Sequence, residues 1–495
     1  MNLFTILSRP GKLVMLAALL FTLTTLQAQT YQYNDTWGNP GISLQSQSTA
    51  GVKLNFSIEY FDLVENNIDG VAMKNILLPG VYLPNDAGFP DLPGMSRYIA
   101  VPKGAKAVLN VRSYRTETIS DVNIAPAFEI PLDTDKGPLK YPKNQKIYTT
   151  DAVYPSQPFQ LSEITSIRGV DVVMVGITPF QYNPVTKKLT IYRDVEIEVT
   201  FEGGTGQFGE DRLRSRLFDP IIMDAVLNYE SLPQIDYDSR YADAGSRDLT
   251  GYEYLIVVPN SAVWTPYAEQ IKAFRTKQGI YTGIVTLAEI GGNTPTILEN
   301  YFNNAYNSWD IPPVAVLLMA DYGTDANTTI TSPIWDSYCV SDNIFADVNN
   351  NDMPDMVFAR MTAQNATHLQ TMVSKAINYE TSPPTNPDFY HKPITALGWQ
   401  TERWFQICSE VVGGFWRDQG KEPVRVNAVY QGTPGSIWST ATNTNTVVNY
   451  FGPNGLGYIP QSPAELGGWS GGNSGSGKCR PQRRSFHASA QGSRI

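Results

Sequence analysis

Tyr254-Leu255-Ile256-Val257-Val258-Pro259 decides the fold of half of this chain. A short apolar run with no polar face reads as a strand buried on both sides. A helix follows over Trp264 to Gln278, with Thr265 and Pro266 at its start and Gly279 as its stop. Ile280 to Leu287 is a second strand, Thr296 to Trp309 a second helix, and Val314 to Met319 a fully apolar third strand that ends near Asp321. Apolar strands with interleaved helices predict a parallel sheet covered on both faces. The cycle resumes with Ile394 to Trp399 (strand), Glu402 to Gln419 (helix) and Val424 to Tyr430 (strand). Two α/β subdomains are expected, over 251–390 and 391–472.

Upstream the texture is different. From Gln29 to about Gly204, short runs rich in β-branched residues are separated by Pro, Gly and Asn turns: Val108 to Val111, Val170 to Ile177, and Leu189 to Phe201. The run Val195-Glu196-Ile197-Glu198-Val199-Thr200-Phe201 alternates between an apolar and a polar face, as a half-buried antiparallel strand does. A β-sandwich is the expectation for 29–204. Residues 205–250 read as a linker, with Arg212, Arg214, Arg216, Arg240 and Arg247 as possible processing sites, because an exposed Arg-bearing connector is where a protease would cut.

Bulk properties narrow the function. A length of 495 residues allows about three domains. The net charge of -10 argues against nucleic acid or an anionic membrane as the main partner. Three cysteines and three histidines, widely scattered, make neither a disulfide framework nor a zinc site. Arg9 and Lys12 precede an apolar run from Leu13 to Leu26, which with Ala28 reads as a signal peptide over 1–28. That run is too short for a comfortable membrane span, so a secreted, periplasmic or cell-surface protein is expected.

Several local stretches point to one family. Gly88-Phe89-Pro90-Asp91-Leu92-Pro93, Arg168-Gly169 and Pro179-Phe180-Gln181-Tyr182-Asn183-Pro184 resemble the propeptide of the gingipain-type cysteine peptidases. Tyr254 to Pro259, Leu317-Leu318-Met319-Ala320-Asp321, and Asp342 to Arg360 with its acidic loop resemble their catalytic domain. The resemblance covers about residues 50 to 472. It implies an α+β multidomain protein with a β-sandwich propeptide and a caspase-like α/β peptidase domain. It also implies secretion as an inactive zymogen and endopeptidase activity on protein or peptide substrates. The propeptide should pack over the strand-end cleft. The competing class is a non-catalytic secreted β-sandwich binding module.

In that family a histidine follows a strand in a His-Gly context and the cysteine ends the next strand. The imidazole assists thiolate formation, and backbone amides hold the oxyanion. Neither element is present in this sequence. From Asn473 the chain turns Gly/Ser-rich and then basic (Lys478, Arg480, Arg483, Arg484, Arg494), with no acid after Glu465. With suitable synonymous codons, His487 to Ile495 read one nucleotide on gives Met-Leu-Gln-His-Arg-Asp-His-Gly-Ser, similar to the missing histidine element. A truncated or frame-shifted chain with a disordered tail over 473–495, and no catalytic activity, is therefore expected; a genuinely different C-terminus or a contig edge is the alternative.

The remaining chemistry-bearing residues are few. Glu402, just after a strand, lies where the family places an auxiliary acid; an acid in a first helical turn equally suits the helix dipole. Cys408 shares an apolar helical face with Trp404, Ile407, Val411, Val412 and Phe415, so it reads as an inert core thiol. Cys339 reads as structural, His368 and His391 as surface residues, and Cys479 with His487 as an accidental pair. Asp347-Val348-Asn349-Asn350-Asn351-Asp352-Met353-Pro354-Asp355 places oxygen side chains at positions 1, 3, 5 and 9. Asp347, Asn349, Asn351 and Asp355 are thus candidate ligands for one structural calcium ion. The loop is no EF-hand, since Phe358 stands where a bidentate Glu belongs. An Asn/Asp-rich turn needs no metal.

Overall fold

The computed structural model describes residues 28–81, 84–129, 139–242, 249–337, 339–397, 412, 416, 419–427 and 446–448. Its N-terminal half is built from β1 (Ala28–Gln32), β2 (Gly41–Ser48), β3 (Gly51–Ser57), β4 (Tyr60–Ile68), β5 (Val71–Leu77), β6 (Met95–Ala100), β7 (Ala105–Ile119), the short helix α1 (Gln145–Thr149), β8 (Phe159–Leu161), β9 (Thr165–Ile167), β10 (Val170–Ile177), β11 (Phe180–Asn183) and β12 (Lys188–Gly203). Three sheets form: β1-β4-β5; β6-β10-β8 with β9 beside β10; and β11-β12-β3-β2 with β7 along the other side of β12. Every strand pair in them is antiparallel.

The alternation expected along β12 is observed. Leu189, Ile191, Val195, Ile197 and Val199 are buried, and Glu196 and Glu198 face out to Ser113 and Arg112 of β7. β7 runs far beyond Val108 to Val111. Its polar second half, Ser113 to Thr118, pairs with β12 just as the first half does. One apolar core, from Val52 and Phe56 through Val172 to Phe180 and Val199, joins the three sheets.

The C-terminal half alternates as expected: β13 (Tyr254–Val258), α4 (Thr265–Lys277), β14 (Thr282–Thr286), α5 (Leu287–Ile290), α6 (Pro295–Ser308), β15 (Ala315–Leu318), the hairpin β16 (Ile334–Trp335) and β17 (Cys339–Val340), α7 (Asn343–Ala346), β18 (Val357–Arg360), α8 (Ala366–Thr381) and α9 (Pro387–His391). Strands β14-β13-β15-β18 form one fully parallel sheet. Leu255 to Val258 are wholly buried, with Ala268 and Ile271 of α4, Leu298 and Phe302 of α6, and Leu369 and Val373 of α8 in the same core. Phe302 stacks edge-on against Phe345 and Phe358, with ring centroids 5.3 and 5.0 Å away. β19 (Ile394–Leu397) and β20 (Val424–Asn427) pair in parallel within the two strands expected there, and β21 (Thr446–Val448) runs antiparallel to β20.

The segment 205–242 departs from expectation. It carries α2 (Asp219–Ala225), a 3-10 turn (Tyr229–Ser231) and α3 (Tyr237–Ala242), and it forms a belt between the two halves. Arg212 caps α6 by donating to the Tyr306 and Trp309 carbonyls at 2.8 and 3.0 Å. Arg214 forks onto Asp219 at 2.8 and 2.7 Å. Arg216 donates to Gly279 O, and Arg240 to the carbonyls of Asp211, Arg212 and Arg214. Each of these four side chains is thus engaged by main-chain carbonyls or a carboxylate. A guanidinium that satisfies main-chain carbonyls is held in the fold. Arg247 lies outside the described residues.

Candidate functional site

In an open parallel sheet, ligand chemistry gathers at the carboxyl ends of the strands. At that edge Arg360, the last residue of β18, is the organising side chain. It grips Asp342 through Nε and Nη2 (2.9 and 2.8 Å) and donates Nη1 to Ala320 O and Ile330 O (3.1 and 2.9 Å). Burial alone would raise the Asp342 carboxyl, but its hydrogen bonds from Arg360 and Ser332 outweigh that and hold it below the usual range. Asp321, where the third strand was expected to end, accepts from Gln364 Nε2 at 2.8 Å and from its neighbour's amide at 2.9 Å. Those two bonds, Gln364 first, lower its pKa.

From this edge projects the β16–β17 hairpin. Ile334, Trp335 and Val340 are exposed on it, and its turn places Asp336 and Ser337 in the left-handed region. Cys339 sits on the same hairpin with an exposed side chain, which corrects its reading as a structural thiol: two-residue strands leave no core for it to enter. His368 is exposed on α8 as expected, and His391 faces Glu422 at 3.5 Å near the surface. Glu402, Cys408, Cys479 and His487 lie outside the described residues, as do residues 1–27 of the expected signal peptide.

At the amino edge the two halves meet. The β9–β10 hairpin turns through Arg168-Gly169 and reaches the entrances of β15 and β18. Arg168 is buried; it donates Nε to Leu213 O (2.6 Å) and Nη1 to Asp355 O (2.6 Å) and Pro313 O (3.0 Å). Its amide donates to Asp355 Oδ1 at 2.9 Å. Beside it, Arg216 and Glu253 bring the belt across the starts of β13 and β14. Val314 and Met353 of the C-terminal half pack into the first core, and Leu213 of the belt into the second. Among the described residues, Arg168 thus joins the N-terminal domain to the amino ends of β15 and β18. The acceptors there are the main-chain carbonyls of Pro312, Pro313 and Asp355, which lead into the two strands.

The same edge holds the acidic loop. Asp347 accepts from the amides of Asn351 and Asp352 (3.0 and 2.8 Å), and Asn351 donates across the domains to Thr165 Oγ1 and Ser166 O, both at 2.7 Å. Asp355 accepts from Val348 N (3.2 Å) and Tyr306 Oη (3.4 Å) besides Arg168 N. Desolvation, the leading effect, pushes its carboxyl up despite these donors. Asp355 therefore serves the domain contact. Among the described residues no three His, Cys, Asp or Glu side chains are grouped to hold a metal. The contact role of Arg168 could not be found in the sequence, because its partners lie up to 187 positions away.

Comparison with known proteins matches two family models to successive parts of the chain. Residues 32–234 match Propeptide_C25 and residues 247–453 match Peptidase family C25. Lys-gingipain of Porphyromonas gingivalis is 24% identical over 357 residues, covering 69% of this chain and 20% of the relative. Gingipain R2 of the same organism is 26% identical over 355 residues, covering 69% and 45%. The chain thus spans a fifth to under a half of the length of these relatives. A solved complex of the Porphyromonas gingivalis RgpB pro- and mature domains aligns at 26% identity and TM-score 0.35, over 39% of this chain and 100% of that one. Among the described residues no helix is long and apolar enough to cross a membrane. With a C25 propeptide followed by a C25 peptidase domain, the chain belongs to the gingipain-type cysteine peptidase precursors.

Proposed function

We propose that the protein is the secreted zymogen of a cysteine-type endopeptidase acting on protein or peptide substrates, with residues 29–204 as its intramolecular propeptide and 205–250 as the linker. The observation that carries this reading is the tandem of propeptide and peptidase matches, in the order a latent precursor needs. Export through residues 1–28 is part of the proposal. N-terminal sequencing of the exported protein should begin at Gln29, and an intact Met1 in the exported fraction would remove it.

We further propose that this 495-residue chain does not hydrolyse peptides, because the His-Gly element and the later cysteine element of the family are not in its sequence. The test is incubation with a peptide library under reducing conditions. No thiol-dependent cleavage is expected. Cleavage abolished by Cys408→Ala would overturn the proposal.

Calcium at the 347–355 loop is also a proposal. Asp347, Asn349, Asn351 and Asp355 would supply hard oxygen ligands, in competition with the amide hydrogen bonds that Asp347, Asn351 and Asp355 accept. An unchanged melting temperature when calcium is added to EGTA-treated protein would refute it.

A further inference from the structure

The turn that carries Arg168 is an odd choice for a hairpin. Ile167 and Val170 are paired, so Arg168-Gly169 is a two-residue connection with φ of +45° and +75°. Two positive φ values in succession favour Asn-Gly or Gly-Gly, and a long side chain in the first position is held against its backbone preference. Gly169 suits its positive φ, and a Cβ there would stand 2.5 Å from Leu213 Cδ1, so the leucine would have to shift. Strain of this kind persists where the surroundings over-determine it. Here they do: the guanidinium touches the belt at Leu213, the entrance of β15 at Pro313 and Pro312 (3.5 Å), and the entrance of β18 at Asp355. The rings of Phe218 and Tyr306 flank it, with centroids 5.1 and 5.6 Å from Cζ. Asn351 holds the neighbouring strand β9 from the other side. One side chain therefore ties together three segments distant in sequence.

We propose that Arg168 is an interdomain lock, a positioning residue that fastens the propeptide to the amino edge of the peptidase sheet, remote from the carboxyl edge. Opening that edge, residues 310–316 and 347–357, requires Arg168 to leave its seat. The inference rests on the reading of the N-terminal domain as a propeptide and adds where it is held.

The test is amide hydrogen exchange, read by mass spectrometry on the full 495-residue chain carrying Arg168→Asn. Asparagine suits the left-handed turn, so β9 and β10 keep their hairpin while the fork is lost. Exchange is expected to quicken by about tenfold or more in 310–316 and 347–357, with 170–177 and 188–203 as protected as before. Unchanged protection at the two segments would overturn the lock. So would acceleration spread evenly over both domains, which would make Arg168 a general stabilising residue. Arg168→Lys keeps the charge without the fork and should also quicken the two segments; wild-type protection in that variant would overturn the assignment to the guanidinium. Activity is not read, so the lock and the precursor reading can fail separately.

Discussion

The belt and the hairpin each bury an arginine beside a carboxylate, and they use it in opposite ways. In the belt, Arg214 lies flat against Asp219, two parallel hydrogen bonds joining them, with Tyr237 Oη adding a third at 2.6 Å. Burial pushes the Asp219 carboxyl up, but the Arg214 and Tyr237 bonds outweigh it and the pKa falls below its ordinary value. In the hairpin, the Arg168 fork is spent on carbonyls, and the Asp355 carboxylate is left to amides and a phenol. There the pKa rises. Proximity to a guanidinium thus does not by itself lower a carboxyl's pKa: side-chain hydrogen bonds outweigh desolvation at Asp219, and desolvation leads at Asp355.

Removing the belt carboxylate tests that contrast most severely. Asp219→Ala strands Arg214, 3% exposed, without its counter-charge. A loss of about 3–5 kcal/mol in denaturant unfolding is expected, and a loss below about 1 kcal/mol would break the comparison. Asp355→Asn should cost less, about 1–3 kcal/mol, since one acceptor oxygen is replaced by an amide donor while the Arg168 fork keeps its carbonyls.

The pH dependence of the belt pair sharpens the point. Because the folded pKa of Asp219 lies below its ordinary 3.8, its contribution is fully present above pH 3.8 and is lost as the pH falls through the folded value. The difference in stability between wild type and Asp219→Asn should therefore be flat from neutrality down to about that pH, then shrink. A difference that grows on acidification would show the sign to be wrong. The smallest effect is expected far from both arginines. Thr286 and Glu289 form a capping box at the start of α5, and Thr286→Ala should cost about 1 kcal/mol without changing exchange at the domain contact.

The parallel sheet was legible because its information is local. Each of Leu255 to Val258 is apolar, and the first Pro and final Gly of α4 stand next to the residues they punctuate. The antiparallel half was legible where alternation is strict, as in β12, and under-read in β7, whose polar residues hide a strand fixed by its neighbour. The belt was misread for a related reason. Arg212, Arg214, Arg216 and Arg240 look solvated in sequence, and only the fold reveals the carbonyls and the carboxylate that hold them. The two-edge layout of the peptidase domain follows from the strand direction, but the contact Arg168 makes at the amino edge is announced by nothing near it in sequence.

The span bridged by Arg168 sets an order of events in time. Its amide meets a carboxylate 187 residues downstream, so with chains growing at about 5–20 residues per second the hairpin stands ready for roughly ten to forty seconds before Asp355 has even been made. Through that interval the guanidinium has only the belt to meet, at Leu213 O and the Phe218 ring. The arrival of the β15 and β18 entrances then supplies the carbonyls of Pro313 and Asp355 and completes its seat.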